Sequence, residues 1–141
     1  MLNEPDWADD FGLNDRASDD ASAAWARVVA DIDIPASQQD AAAQYCVAVA
    51  RIAEAERHIS EHGLILTGAN GGPVKNPATT LINMYGAAAR AHQNALGLTP
   101  YSAARNKAMS RNAKTVGDDE YQDSGTVDPE FARLISGFDR A

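Results

Sequence analysis

The sequence predicts a mainly α fold: two long helices forming a helical hairpin, joined by a short β-hairpin. A first amphipathic helix precedes them and a short C-terminal helix follows. Three observations carry this prediction. Apolar residues make up 45% of the chain but aromatics only 6%, and the alanine-rich remainder favours slim helices over a thick sheet core. Helix punctuation recurs in order, with Gly63 after His62, Asn76-Pro77, Gly97 and Thr99-Pro100. Between the two long periodic stretches lies "GANGG", where glycine and asparagine accept the positive φ of a tight turn.

Each element has its own reason. Residues 1–17 carry Glu4, Asp6, Asp9, Asp10 and Asp15 with Pro5 and Gly12, and read as an acidic, mostly unstructured arm. Ser18 is the expected cap of the first helix, with Asp19 and Asp20 in its first turn. Trp25, Val28, Val29 and Ile32 are spaced for one buried face. Pro35 breaks the chain, and Ser37 with Asp40 three residues on suggests a capping box for a helix from about Gln38 to His62. Tyr45, Val49, Ile52 and Ile59 lie on roughly one side, and Ala42, Ala43, Ala50, Ala53 and Ala55 keep the remainder slim.

Leu64–Thr67 has strand character, and Val74-Lys75 is the expected returning arm. Asn76 as cap and Pro77 at the first helical position open the next helix, which runs to about Leu96. Its expected packing stripe is Leu81, Met84, Ala88, Ala91 and Ala95. Thr99-Pro100 opens a shorter helix through about Met109. These elements make residues 18–110 one helical core. Residues 111–141 form an acidic flexible tail, in which segment 128–138 is amphipathic, with Phe131, Leu134, Ile135 and Phe138 on one face as a docking candidate.

Composition bounds the function. The net charge of −8 divides unevenly. Residues 1–35 hold nine acids and two bases, residues 36–112 four acids and seven bases, and residues 113–141 seven acids and three bases. A mildly basic centre sits between acidic ends, which either solubilise the chain or meet proteins while the centre meets a polyanion. The acidic N-terminus lacks an apolar signal region, and no run of ~18 apolar residues exists for a membrane span. The single Cys46 excludes an internal disulfide and suits a reducing cytosol.

No catalytic, cofactor or metal site is expected. A phosphate-binding loop needs lysine directly after its last glycine and a hydroxyl next. Here Gly72 is followed by Pro73, Val74, Lys75 and Asn76, and proline removes an amide that a phosphate nest would use. His58 and His62 are four apart, but "HISEH" misplaces the glutamate of a zinc-protease motif and offers no third ligand. They read as helix-end histidines. Cys46 has no adjacent histidine and reads as a small buried residue.

The order of elements then carries a resemblance. A tryptophan-containing helix is followed by a long helix with Asp40 early and "YC" at Tyr45-Cys46. Next come Gly63, a glycine-rich hairpin, "NP" at Asn76-Pro77 and "LGLTP" at Leu96–Pro100, with Ser102 and Arg105 after it. From about Ala21 to Met109 this closely resembles the P27 family of phage terminase small subunits. The resemblance implies a non-enzymatic packaging protein of the host bacterial cytoplasm. Such a protein binds double-stranded viral DNA, assembles into a homo-oligomeric ring, and recruits and regulates the large terminase subunit that holds the ATPase and nuclease. One departure is Ala103, where the family often has a base.

Two readings of the residues agree with it. Slim alanine faces suit close packing between subunits, and a ring repeats a net +3 centre into a continuous basic track. The DNA-binding candidates are Arg51, Arg57, Lys75, Asn76, Arg90, Arg105, Lys107 and Arg111, with Lys75–Asn76 and the Arg105–Arg111 cluster ranked first. The alternative is a small helical DNA-binding transcription regulator. That needs a compact helix-turn-helix with a basic recognition helix, and the helices from Gln38 and Asn76 are too long and too poor in bases for it.

Overall fold

The computed structural model describes residues 2–120. It is mainly helical, with one small two-stranded sheet. The elements are α1 (Trp7–Phe11), α2 (Asp15–Asp31), a 3-10 turn (Ala36–Gln38), α3 (Gln39–His62), β1 (Ile65–Thr67), β2 (Pro73–Lys75), α4 (Ala78–Leu96) and α5 (Pro100–Glu120). The chain divides into two compact units, residues 1–104 and residues 105–141.

The N-terminal stretch departs from the unstructured arm that its composition predicts. Asp6 caps α1 by accepting from the amides of Ala8 and Asp9, and Gly12 closes it at φ 66°. Trp7 is buried, stacks edge-on against Trp25 at 6.0 Å, and its indole N–H donates to Glu4 at 2.7 Å. Burial of one large aromatic outweighs the acidic surroundings, because the acids stay at the surface. The cap of α2 is Asn14, whose side chain accepts from the Ala17 amide at 2.9 Å. Ser18 lies one turn inside and donates to the Leu13 carbonyl instead. Ser37 likewise makes no cap, because a 3-10 turn leads into α3 and no side chain caps that helix.

The core of unit 1 joins Trp7, Leu13, Ala17, Ala21, Ala24, Trp25 and Val28 to Ala42, Ala43, Cys46, Ala50 and Leu96. Alanines on α2 and α3 let those helices approach closely around the two tryptophans. α3 packs on both α2 and α4. Gly63 ends α3 at φ 88° and ψ 167°, a region that essentially only glycine enters.

α4 turns a different stripe inward from the one its periodicity suggests. Ala78 and Leu96 are buried and Ile82, Tyr85 and Ala89 half-buried, whereas of the expected stripe Ala88 is half-buried and Leu81, Met84, Ala91 and Ala95 are exposed. Alanine-rich helices present two weakly apolar stripes, and contact with α3 selects the one holding the bulky Ile82 and Tyr85. α5 is also longer than expected. Its N-terminus is a reciprocal box: the Ser102 amide donates to Thr99 Oγ1 at 3.1 Å and the Thr99 amide to Ser102 Oγ at 3.2 Å. Arg111–Val116 contains no proline or glycine, so the helix continues past Met109.

Candidate nucleic-acid interface

The glycine-rich loop closes on itself. β1 and β2 pair antiparallel, with Ile65 opposite Lys75, Leu66 opposite Val74 and Thr67 opposite Pro73. The Gly68 amide donates to the Gly72 carbonyl at 2.7 Å and the Gly71 amide to Gly68 at 2.9 Å. Those amides are engaged within the turn, so they form no phosphate nest.

Asn76 is the hinge of the hairpin. It is 0% exposed. Its side-chain N–H2 donates to the Gly63 carbonyl at 2.8 Å and to His58 Nδ1 at 3.1 Å. Its Oδ1 accepts from the Ala78 amide at 3.0 Å. An amide nitrogen only donates, so His58 must accept on Nδ1 and carry its proton on Nε2. One side chain thus ties the end of α3 to the start of α4. Every polar atom of the Asn76 side chain, a DNA-contact candidate from its place beside Lys75, is buried and partnered within the fold.

The basic candidates fall into two groups. Arg51 pairs with Glu54 at 2.8 Å along α3, and Arg57 pairs with Asp20 at 2.7 Å, tying α3 to α2. Both are occupied in holding the fold. Lys75, Arg90, Arg105, Lys107 and Arg111 are exposed. Lys75 stands on the outer face of the hairpin, across from the exposed Ile65.

α5 splits the Arg105–Arg111 cluster. At ~100° per residue, Lys107, Arg111 and Lys114 fall within an arc of about 60°, while Arg105 lies on the other side with Tyr101 and Met109. Lys114 joins this face although it lies in residues 113–141, whose net charge is acidic. The finer signal is a run without acids: residues 63–117 contain no Asp or Glu, and carry Lys75, Arg90, Arg105, Lys107, Arg111 and Lys114. Phe131, Leu134, Ile135 and Phe138 lie outside the described residues.

Other chemistry is quiet. Cys46 is buried, and desolvation pushes its thiol up to about 12, opposed by Arg27 and reinforced by Glu4. It stays protonated near neutrality and is no nucleophile. An open groove of about 530 Å³ between α3 and α4 is walled by Ala55, Leu66, Pro77, Leu81 and Tyr85. Its polar members Arg51, Glu54, His58 and Asn76 are already engaged with one another or with the backbone. Among the described residues, no group of three or more metal-binding side chains converges, and no helix is long and apolar enough to cross a membrane.

The family model described as phage terminase, small subunit, matches residues 21–113, more than half of the chain. The chain belongs to the phage terminase small-subunit family. No curated protein and no solved structure matches it. The match begins inside α2 and ends inside α5, so it includes the helical hairpin, the Asn76 hinge and most of the acid-free run. Membership assigns the chain a role in phage DNA packaging, in a family whose small subunits are generally regulatory rather than catalytic.

Proposed function

We propose that this chain is a ring-forming small terminase subunit of the P27 group that binds double-stranded viral DNA. In the host bacterial cytoplasm it delivers that DNA to the large subunit, whose ATPase and nuclease it recruits and regulates. The observation that carries the DNA reading is the acid-free run with its exposed bases, above all the Lys107–Arg111–Lys114 face of α5. Three bases within one arc of a helix present a concentrated positive charge to the phosphates of a duplex. Each phosphate it neutralises releases counterions, at a slope of about −0.9 per contact on duplex DNA. Lys75 and Arg105 are further backbone contacts. Repetition around a ring multiplies these weak contacts into useful affinity.

The remaining roles follow from the ends. The amphipathic sequence with Phe131, Leu134, Ile135 and Phe138 is a docking motif for the large subunit. Deleting residues 117–141 then loses partner binding while the ring persists. Loss of the ring instead would make the tail part of its core.

The DNA reading is tested by titrating the full chain with duplex DNA across ~50 to 200 mM salt. Binding should weaken steeply over that range. Joint replacement of Lys107, Arg111 and Lys114 by alanine should flatten the salt slope and abolish most low-salt binding. Lys75→Ala should weaken binding without changing the assembly. A ring that binds no DNA at low salt would remove the DNA role and leave an adaptor.

A further inference from the structure

α3 lies in the middle of a three-helix slab. Its Ala42, Ala43, Cys46 and Ala50 belong to the core built with α2. Ala48 and Ala55 are also buried but lie outside that core, and Ala55 lines the groove against α4. Ala48 and Ala55 sit about half a turn around α3 from Cys46. α2 and the first turns of α4 therefore cover different sides of α3, while Leu96 at the end of α4 joins the core shared with α2, and the exposed faces of α2 and α4 are separate surfaces.

Those outer faces differ in chemistry. On α2 the outward residues are Asp15, Asp19, Ala23, Ala26 and Ala30, all exposed. Asp6, Asp9 and Asp10 of the preceding turns are exposed as well, and residues 1–31 hold eight acids against two bases. On α4 the outward residues are Thr80, Met84, Ala87 and Ala91, with Leu81 and Arg90 at the margins. Met84 is 61% exposed. Leu81 and Met84 are exposed large hydrophobics. Beside Leu81 lies Leu66 of β1, whose cross-strand partner Val74 is exposed on the same face of the hairpin, the face away from Ile65 and Lys75. From residue 63 to residue 104 there is no acid, and Arg90 is the base of α4. Exposed apolar side chains grouped in this way mark an interaction surface.

We propose that the α4–hairpin face of one copy docks on the outer face of α2 in a second copy, head to tail. The proposal rests on the ring reading above and specifies the contact that builds it. Charge complementarity selects the occupant, because an acid-free face with Arg90 meets a face rich in Asp. Alanines on both sides allow close helix approach, and Met84 with Leu81 supplies the apolar anchor. Pairing of α4 with α4 across a two-fold axis would instead bring Arg90 of both copies onto one acid-free surface, where no carboxylate offsets them. Two different faces make a heterologous contact. Each copy then serves two neighbours, and the chain of contacts closes into a ring when the rotation permits.

The test uses two variants of the full chain, Met84→Asp and Ala26→Asp, with masses read by native mass spectrometry and light scattering. Both sites are exposed, so unchanged circular dichroism is expected and is checked for each. Each variant alone should lose the assembled species and run as a monomer. Mixed one to one, they should form a two-chain species and nothing larger, because the mixture contains one intact pair of faces and the two altered faces carry like charges. If Ala26→Asp assembles like the parent while Met84→Asp does not, α4 uses another surface and the proposal is overturned. It is overturned equally if both variants still form the parent ring, an outcome that leaves the ring reading standing. A parent chain that is itself monomeric defeats the ring reading directly.

Discussion

Replacing Asn76 by alanine removes the hinge between α3 and α4 without touching the apolar core. The side chain makes three hydrogen bonds, to the Gly63 carbonyl, His58 Nδ1 and the Ala78 amide, at 2.8, 3.1 and 3.0 Å. Loss of the cap on α4 costs about 1 kcal/mol. Gly63 is exposed, so its carbonyl exchanges the side-chain donor for water and the loss is the roughly 0.5–1.5 kcal/mol of one intramolecular hydrogen bond. His58 is exposed and recovers a water partner, so its share is small. The sum is about 1.5–2.5 kcal/mol. For a folded unit of this size, ~1 kcal/mol shifts Tm by roughly 4–8 °C, so Asn76→Ala should melt on the order of 6–20 °C below the parent. Urea unfolding followed by circular dichroism, with parent and variant at one protein concentration, measures the difference. Below the melting range, DNA affinity per folded subunit should be unchanged. A stability loss under ~0.5 kcal/mol would refute the hinge. Full stability with loss of DNA binding would restore Asn76 as a phosphate contact.

Gly63→Ala should cost about 1–3 kcal/mol in the same assay. The cause is the φ of 88° with ψ of 167°, since a Cβ there meets nothing nearer than the Ile65 carbonyl oxygen at 3.7 Å. A neutral substitution would mean that the backbone relaxes. Trp7→Ala should lose roughly 3–5 kcal/mol, as for a buried core aromatic, and an unchanged melting curve would return residues 2–14 to a free arm. Cys46 should resist thiol reagents at pH 8 until the fold opens, and rapid labelling of the native protein would contradict its burial. Because burial raises its pKa from 9.0 to about 12, its contribution to stability is fully present below pH 9 and declines as pH rises toward 12.

The parts of this fold that the sequence made legible are those written in short-range chemistry. Gly63, Asn76-Pro77, Gly97 and Thr99-Pro100 each act within a few residues, and each marks a helix end in the structure. What stayed hidden depends on distant partners. Trp7 is helical and buried because Trp25 meets it, and Gln39 reaches back to the Asn3 carbonyl across 36 positions. Neither contact has a local signature among so many acids. Ser18 and Ser37 look like caps, but the chain enters each helix earlier or by a 3-10 turn.

The same division governs the site. A basic stretch without acids can be counted from the sequence. That Arg57 is held by Asp20, 37 positions away, cannot. Nor can the burial of Asn76, because Asn-Pro at a helix start is compatible with either a solvent-facing or a buried cap. α4 shows the limit of periodicity: alanines on both sides of the helix left its inner face undetermined until α3 was in place.

The mass of the intact assembly at micromolar concentration tests the central claim most directly. The account predicts one dominant species at a whole-number multiple of the 15.0 kDa chain, larger than a dimer and closed, so that its mass does not grow with concentration. A strict monomer, or a dimer that binds a short palindrome, would contradict it.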